Sequence, residues 1–399
     1  MRRTALGIFV FAAAVCWGPG LTVESAAFAA TEPVAPAAVR SDASRTIRVL
    51  ISEGQDVLKV TVMGGYRVLD PKTKKTLAVS RRLVGVNVRG REEGLLLAGV
   101  KFPEAIEIHS DDPADLFINN RPFRGFLTVY RQPDNSLAVI NHIDVEDYLY
   151  GVLYHEVGSW WPAEALKAQA IAARTYALYQ KRFTSGRRFD IYNNQSSQMY
   201  GGADSERNRS NGAVDETRGQ VLTFKGALFP AYYHATCGGR TRDSSELWNI
   251  QMPPLAGGVK CDYCWFSPHY AWHAKVDIRD MEELLKEHGI WVGPISDMEV
   301  VTRSASDRVL TALVRGTSGE KTLSAKDLRL WVGPTVVRSE NFETHMRWGK
   351  IVFEGKGWGH GVGMCQWGAL GQSIAGKKYG EILQFYYPGS EITQIYSAS

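Results

Sequence analysis

The sequence predicts an α+β protein that is rich in strands and contains a buried, alanine-rich helix near the middle of the chain. Short segments with alternating polar and apolar residues run from residue 46 to about residue 137, separated by turn signals. Such alternation is typical of half-exposed strands. Residues 163–181 instead carry leucine and alanine at helical spacing. After this helix the chain returns to strands and loops.

The N-terminal end has the pattern of an export signal. Arg2 and Arg3 precede an apolar run over residues 6–15, and small residues then lead to Ala27-Phe28-Ala29. This arrangement predicts a signal peptide over residues 1–29 with an A-x-A cleavage site. The apolar run is too short for a stable transmembrane segment. We therefore expect an exported protein, located in the periplasm or cell wall.

The predicted elements follow in order. Residues 30–45 are rich in proline, alanine and serine, and predict a linker. Residues 46–120 form the N-terminal β-rich region. A short helix is predicted over residues 143–150 after an aspartate cap, and Pro162 suits the first turn of the alanine-rich helix. Shorter helices are predicted at residues 281–288 and 379–385, and an accessory β element at residues 298–337.

Charge and motif content exclude several classes of function. The 46 basic and 42 acidic residues are nearly balanced, and no run of lysine or arginine indicates nucleic-acid binding. His155-Glu156 is followed by Ser159 where a zinc protease of the HExxH type needs a second histidine. Glycine patterns that bind nucleotides are also missing from the sequence. Nucleotide chemistry and zinc-dependent proteolysis of this type are therefore not expected.

Several segments together resemble the stage II sporulation protein D family. Residues 147–178 read DYLYGVLYHEVGSWWPAEALKAQAIAARTYAL and resemble the family's signature. The resemblance continues, in the same order, with residues 197–202 (SQMYGG), 233–241 (YHATCGGRT), 357–369 (GWGHGVGMCQWGA) and 386–389 (YYPG). It covers most of the chain and identifies residues 121–395 as the family's catalytic domain.

The resemblance implies a peptidoglycan lytic transglycosylase. Such an enzyme cleaves the bond between N-acetylmuramic acid and N-acetylglucosamine in glycan strands, and leaves 1,6-anhydro ends. Sporulation members prefer strands already stripped of stem peptides. The resemblance assigns Glu156, just before the alanine-rich helix, as the general acid/base, and the chemistry requires no cofactor. One relative is instead an enhancer of an N-acetylmuramoyl-L-alanine amidase, so a non-catalytic, wall-binding role with an amidase partner is the alternative.

The chemistry explains why one carboxylate is sufficient. In a lytic reaction the 6-hydroxyl of the sugar attacks, so one group protonates the leaving oxygen and then accepts the hydroxyl proton. Such a carboxyl must be protonated near neutral pH, which requires desolvation. Tyr154, Trp160 and Trp161 could provide it for Glu156. The alternative is that Glu156 only caps the helix beginning near Pro162.

Four further residues are candidates for substrate binding. Glycines recur at every second position from Gly357 to Gly363, so one face of an extended segment there would have no side chains and could approach a ligand closely. This makes His360 and Gln366 candidates, with a buried structural histidine as the alternative for His360. Arg174 and Tyr200 are candidates on the same terms, with structural roles as their alternative. Cys365 stands where many relatives have serine, so a hydroxyl role is not transferred there.

The cysteines form a second group of interest. Cys261 and Cys264 make a C-x-x-C pair, and with Cys237 and His234 they offer three thiolates and one imidazole, a set that fits a structural zinc. His269 and His273 are nearby in sequence and are alternative ligands. A disulfide is the competing interpretation, because exported chains favour disulfides. Some relatives hold zinc through residues just before the Gln-x-Tyr-Gly segment, but residues 190–197 here have neither cysteine nor histidine.

Overall fold

The computed structural model describes residues 45–194 and 197–397. The predicted signal peptide, including Cys16, lies outside the described residues, as does the predicted linker except for Arg45. The N-terminal strands are β1 Thr46–Gln55, β2 Val57–Val62, β3 Tyr66–Leu69, β4 Thr76–Ser80, β5 Leu83–Arg91, β6 Gly94–Leu97, β7 Val100–Phe102, β8 Ala105–Ser110, β9 Leu116–Ile118, β10 Arg121–Phe123, β11 Phe126–Arg131 and β12 Leu137–Asp144.

These strands build two sheets that share one hydrophobic core. A seven-stranded sheet has the order β13-β1-β12-β11-β8-β3-β4, with β13 at Ile191–Tyr192, and a six-stranded sheet has the order β10-β9-β2-β5-β6-β7. In β2, Leu58, Val60 and Val62 are buried while the residues between them are more exposed, as expected for a strand with one face on the core. The predicted half-exposed strands are confirmed.

The expected boundary between residues 120 and 121 falls at the tip of a hairpin. β9 pairs with β10 in antiparallel register, with Ile118 opposite Arg121. Asn119 and Asn120 both have positive φ, 48° and 66°, which is the backbone conformation of a tight hairpin turn. The regions on either side of this position therefore contribute strands to the same sheets.

The first two helices, α1 and α2, are largely buried. Helix α1, Val145–Glu156, begins after Asp144, whose side chain accepts a hydrogen bond from the Glu146 N–H, so the predicted aspartate cap is confirmed. Helix α2, Ala163–Arg182, begins after Pro162 and buries its alanines against α1 and the C-terminal helices. Small side chains allow this close packing on several sides. The buried, alanine-rich helix is thus confirmed.

The C-terminal half combines short strands with helices. The helices are α3 Asn208–Glu216, α4 Ser245–Trp248, α5 Ile278–Glu287, α6 Ala325–Val332, α7 Gln366–Ile374 and α8 Tyr379–Tyr386, with single 3₁₀ turns at Ala203–Ser205 and Pro253–Leu255. The strands are β14 Gln220–Phe224, β15 Ala227–Leu228, β16 Tyr233–His234, β17 Ala271–Asp277, β18 Ile295–Arg303, β19 Val309–Gly316, β20 Gly319–Ser324, β21 Phe342–Arg347, β22 Lys350–Lys356, β23 Met364–Cys365 and β24 Glu391–Gln394. Helices α5 and α8 confirm the two shorter predicted helices.

Residues 271–356 form an inserted element with its own core. Strands β17, β22 and β21 make one sheet, and β18, β19 and β20 make another. Buried side chains from Trp272 to Phe353 pack together between these strands and helices α5 and α6. The accessory β element predicted from the sequence is therefore part of a larger unit that includes two helices. Among the described residues, the structure contains no helix that is both long and apolar enough to cross a membrane.

Candidate active site

Glu156 is the last residue of α1 and is partly accessible to solvent. The Met199 N–H donates to its Oε1 at 3.2 Å, and the Gln366 side-chain amide donates to its Oε2 at 3.4 Å. Burial of the carboxyl raises its pKa to about 7, because low-dielectric surroundings disfavour the charged form. The side chain makes no capping bond to α2, which begins at Pro162 without a side-chain cap. The alternative of a helix-capping glutamate is therefore wrong.

The acidic residues near Glu156 in sequence have other partners. Glu146 is buried in an ion pair with Arg174, so it cannot act on a bound sugar. Asp147 also lies on α1, and burial raises its pKa while the charge of Arg124 opposes this shift. Among the described residues, the hydrogen bonds of Glu156 involve an amide and a backbone N–H, and none of them is made with a second carboxyl group.

The side chains of Arg174 and Tyr200 are buried, and their polar atoms form hydrogen bonds within the protein. Arg174 is fully buried and donates two hydrogen bonds to Glu146, at 2.9 and 2.6 Å, and others to backbone carbonyls. Tyr200 is 2 % exposed, and its hydroxyl donates to the Asn141 side chain at 2.9 Å. Both side chains are enclosed with satisfied partners, which favours the structural alternative for each of them.

The glycine-rich segment from Gly357 to Gly363 is a loop and not the extended segment expected from its period of two. All four of these glycines have positive φ, between 69° and 103°, which other residues rarely adopt. The expected close approach is found: a side chain at Gly361 would meet the Arg308 guanidinium, and one at Gly363 would meet the Tyr232 carbonyl. The loop therefore packs backbone against neighbouring groups, which only glycine permits.

His360 is held within this loop. Its Nδ1 accepts a hydrogen bond from the Val362 N–H at 3.0 Å, and its ring packs against Tyr232, Trp248 and His234. Burial lowers its pKa well below the ordinary value, so the imidazole is neutral at pH 7. Of these two candidates, Gln366 contacts Glu156 directly, whereas the described contacts of His360 are with Val362 and the rings of Tyr232, Trp248 and His234.

Four cysteines, and not three cysteines with a histidine, form the sulfur cluster. The Sγ atoms of Cys237, Cys261, Cys264 and Cys365 all lie within 4.8 Å of one another, and all four cysteines are free and buried. Tetrahedral zinc with bonds of 2.3 Å separates its sulfurs by about 3.8 Å, so this cluster could hold a metal ion. Cys365 is not recognisable as a ligand from sequence spacing, because it lies far along the chain from Cys261 and Cys264.

The histidines proposed as ligands lie outside this cluster. His234 turns its Nδ1 towards the Val362 carbonyl at 3.1 Å, and its buried Nε2 has no hydrogen-bond partner. His269 packs edge-on against Trp358, and His273 is an exposed residue of β17. The predicted ligand His234 is therefore replaced by Cys365. A further observation supports this correction: the Cys365 sulfur accepts N–H groups from Cys237 and Gly368, both at 3.2 Å, a common arrangement around metal-bound thiolates.

A continuous row of aromatic rings begins at Trp160, four residues after Glu156 in the chain. Neighbouring rings in the row lie 5.6 to 6.1 Å apart between centroids. The two ends are exposed, Trp160 by 64 % and Trp265 by 70 % of their surface. In order, the row is Trp160, Trp161, Trp367, Phe266 and Trp265. The inner rings fill the core, so the tryptophan-rich half of the sequence serves packing and also leaves aromatic faces open to solvent.

The chain is similar to two family models and to several known proteins. A family model described as stage II sporulation protein matches residues 133–224, and one described as a domain of unknown function matches residues 265–363. The chain is 31 % identical to an uncharacterized protein of Brachyspira hyodysenteriae, covering 87 % of this chain and 92 % of that protein. It is 30 % identical to stage II sporulation protein D of Bacillus amyloliquefaciens, covering 67 % and 78 %. It is also 29 % identical to the amidase enhancer of Bacillus subtilis, covering 61 % of this chain and 40 % of that protein.

Proposed function

Because the chain belongs to the stage II sporulation protein D family, we propose that it is a peptidoglycan lytic transglycosylase with Glu156 as its general acid/base. It cleaves the bond between N-acetylmuramic acid and N-acetylglucosamine in glycan strands. The observation that carries this proposal is the carboxyl of Glu156, which is partly accessible and whose pKa burial raises to about 7, so that it can be protonated near neutral pH and act as an acid. One such carboxyl is sufficient for a lytic enzyme, because the 6-hydroxyl of the sugar replaces the group that a hydrolase of the usual kind activates with a second carboxylate.

The proposed reaction keeps the proton within the site. Protonated Glu156 donates its proton to the oxygen of the leaving N-acetylglucosamine as the bond from the muramic acid C1 breaks. The 6-hydroxyl of the same muramic acid forms the new bond to C1 and gives its proton to the Glu156 carboxylate. Oε1 accepts from the Met199 N–H and Oε2 from the Gln366 amide, so both oxygens have a donor while Glu156 is a carboxylate.

The sulfur cluster supports a second part of the proposal, a structural zinc. Cys237, Cys261, Cys264 and Cys365 would hold it. Four thiolates leave no open position for substrate, so the metal would stabilise the fold around α7, which begins with Gln366 directly after Cys365.

We further propose that the protein acts outside the cytoplasmic membrane, delivered by a signal peptide at residues 1–29 and a linker that follows. Residues 121–395 would form the catalytic domain beside the β-rich region. The second candidate function is a non-catalytic enhancer of a wall amidase, favoured by the similarity to the Bacillus subtilis amidase enhancer. In that role Glu156 and the exposed rings would bind glycan without cleaving it.

Digestion of purified peptidoglycan in heavy-oxygen water distinguishes these functions. We expect the wild-type protein to release 1,6-anhydro ends without label, because no water enters the bond. Glu156→Gln keeps the shape of the side chain but cannot transfer a proton, and should release none. Glu93→Gln, at an exposed glutamate that pairs with Lys101, is the matched control and should behave as wild type.

Other outcomes would refute the proposal. Label in the new sugar ends would mean hydrolysis, and release of stem peptides alone would mean an amidase. Failure of the wild-type protein to cleave, combined with faster cleavage by an added amidase, would establish the enhancer role.

A further inference from the structure

The surroundings of Glu156 contain a hydrogen-bonded chain that the sequence did not single out. Gln198 is fully buried, and its side-chain amide lies between two tyrosines. The Tyr148 hydroxyl donates to its Oε1 at 2.9 Å, and its Nε2 lies 2.9 Å from the Tyr233 hydroxyl oxygen. Nε2 also lies 3.2 Å from the backbone carbonyl oxygen of Ala173. Tyr233 lies close to Glu156: Met199, the residue after Gln198, donates its N–H to the Glu156 carboxyl, and Tyr233 pairs with Met364, two residues before the other donor, Gln366.

The carbonyl of Ala173 fixes the direction of every bond in this chain. A carbonyl oxygen can only accept, so the Gln198 atom beside it must be the NH₂ group and not the oxygen. This group has two hydrogens: one goes to Ala173 and the other to the Tyr233 oxygen. The Tyr233 oxygen is therefore an acceptor from Gln198, and its own hydrogen must point elsewhere.

The geometry points to Tyr233 as a positioning residue, which we propose donates its hydroxyl hydrogen to Glu156 in a direction set by Gln198. This inference rests on the proposed function of Glu156. A donor stabilises the carboxylate more than the neutral acid, so Tyr233 would oppose the effect of burial on the pKa of Glu156. It would also stabilise the carboxylate that exists after the proton has been given to the leaving sugar.

The other titratable groups facing Glu156 do not compete in the neutral range. Tyr148 on α1, Tyr176 on α2 and Tyr233 on β16 all interact with its charge. Burial raises the pKa of Tyr176 to about 12, and raises those of Tyr148 and Tyr233 well above the ordinary value. The groups that α7 and the 197–202 segment place on Glu156, the Gln366 amide and the Met199 N–H, do not titrate. A transition between pH 5 and 9 therefore reports Glu156 itself.

The test is Tyr233→Phe, which removes the donor and keeps the ring. The protonated carboxyl of Glu156 is identified as the infrared band that Glu156→Gln abolishes, and its titration midpoint is measured in each variant. We expect the midpoint to move up by about one pH unit in Tyr233→Phe, as loss of one charge-assisted hydrogen bond implies. The alkaline limb of the cleavage rate should move with it.

Two variants complete the design. Gln198→Met keeps the Tyr233 hydroxyl but removes what orients it, and should move the midpoint in the same direction by less. If Tyr233→Phe does not fold, the titration midpoint of Glu156 in Gln198→Met still tests the inference. Tyr387→Phe is the control, because it removes an equally buried hydroxyl that donates to the Tyr232 carbonyl, and it should leave the midpoint unchanged.

The outcomes separate this inference from the proposed function. A midpoint that is unchanged, or lower, in Tyr233→Phe and Gln198→Met would overturn the inference even if the protein cleaves glycan. A raised midpoint in a protein that does not cleave glycan would support the inference and refute the enzymatic proposal.

Discussion

Replacing Arg174 by methionine should cost stability and leave glycan recognition intact. The side chain is fully buried, and removing it leaves the Glu146 carboxylate without its ion pair and the Gln220 carbonyl without the donor that Arg174 supplies. Breaking a buried pair in this way typically costs about 3–5 kcal/mol. The Gly219 N–H and the Tyr396 hydroxyl still donate to Glu146. We therefore expect the free energy of unfolding to fall by about 3–4 kcal/mol, which is a large part of the stability of an ordinary domain.

Unfolding by denaturant, followed by circular dichroism, measures this cost. Arg315→Met is the matched control: Arg315 pairs with three carboxylates, but its side chain is 40 % exposed, so its loss should cost far less stability than the loss of the buried Arg174. Replacing Glu146 by leucine in the Arg174→Met background should restore part of the stability, because it removes the uncompensated charge. Unchanged stability in Arg174→Met, together with weaker binding of glycan, would refute this reasoning and return Arg174 to the substrate site.

Three further predictions concern the site itself. The cleavage rate should fall as pH rises through about 7, because burial raises the pKa of Glu156 to that value and only the protonated form donates; a rate still rising at pH 9 would contradict the assignment. The purified protein should contain about one zinc per chain and lose it in Cys365→Ser, with a lower melting temperature; metal analysis by mass spectrometry decides this, and a mass showing a disulfide would favour the alternative. Trp160→Ala should weaken glycan binding roughly tenfold through loss of stacking, whereas Trp348→Ala, which removes a ring that is 83 % exposed on the inserted element, should not.

Features set by neighbouring residues were predictable from the sequence. The aspartate cap of α1, the alanine-rich α2 and the alternating strands depend on local spacing, and the structure confirms them. Glu156 could be identified as a candidate because it lies within a continuous segment, residues 147–178, that resembles the family's signature. Its raised pKa was also expected; burial is the cause, and the hydrogen bonds from Met199 and Gln366 oppose the rise.

Features that depend on distant partners were not predictable. Arg174 follows the helical spacing of α2, but spacing does not tell whether Glu146 already fills the space beside it. Cys365 lies far along the chain from Cys237. The pairing of β16 with β23 brings it to the sulfur cluster, and this pairing could not be predicted from sequence spacing. Tyr233 lies within residues 233–241, one of the segments that resemble the family. The direction of its hydroxyl, however, depends on Gln198, which lies in another segment, residues 197–202.

The inserted element separates the contacts of Glu156 along the chain without separating them in space. The chain enters it at Tyr270 and leaves at Gly357, and these residues are joined by a hydrogen bond of 2.9 Å, while Ala271 pairs with Lys356. Because its two ends meet and its buried side chains form a core of their own, residues 271–356 add length to the chain without adding distance between the segments that they interrupt. Gln366, which follows the element, therefore still reaches Glu156, which precedes it. We expect the far end of the element to tolerate changes in length while this contact is kept.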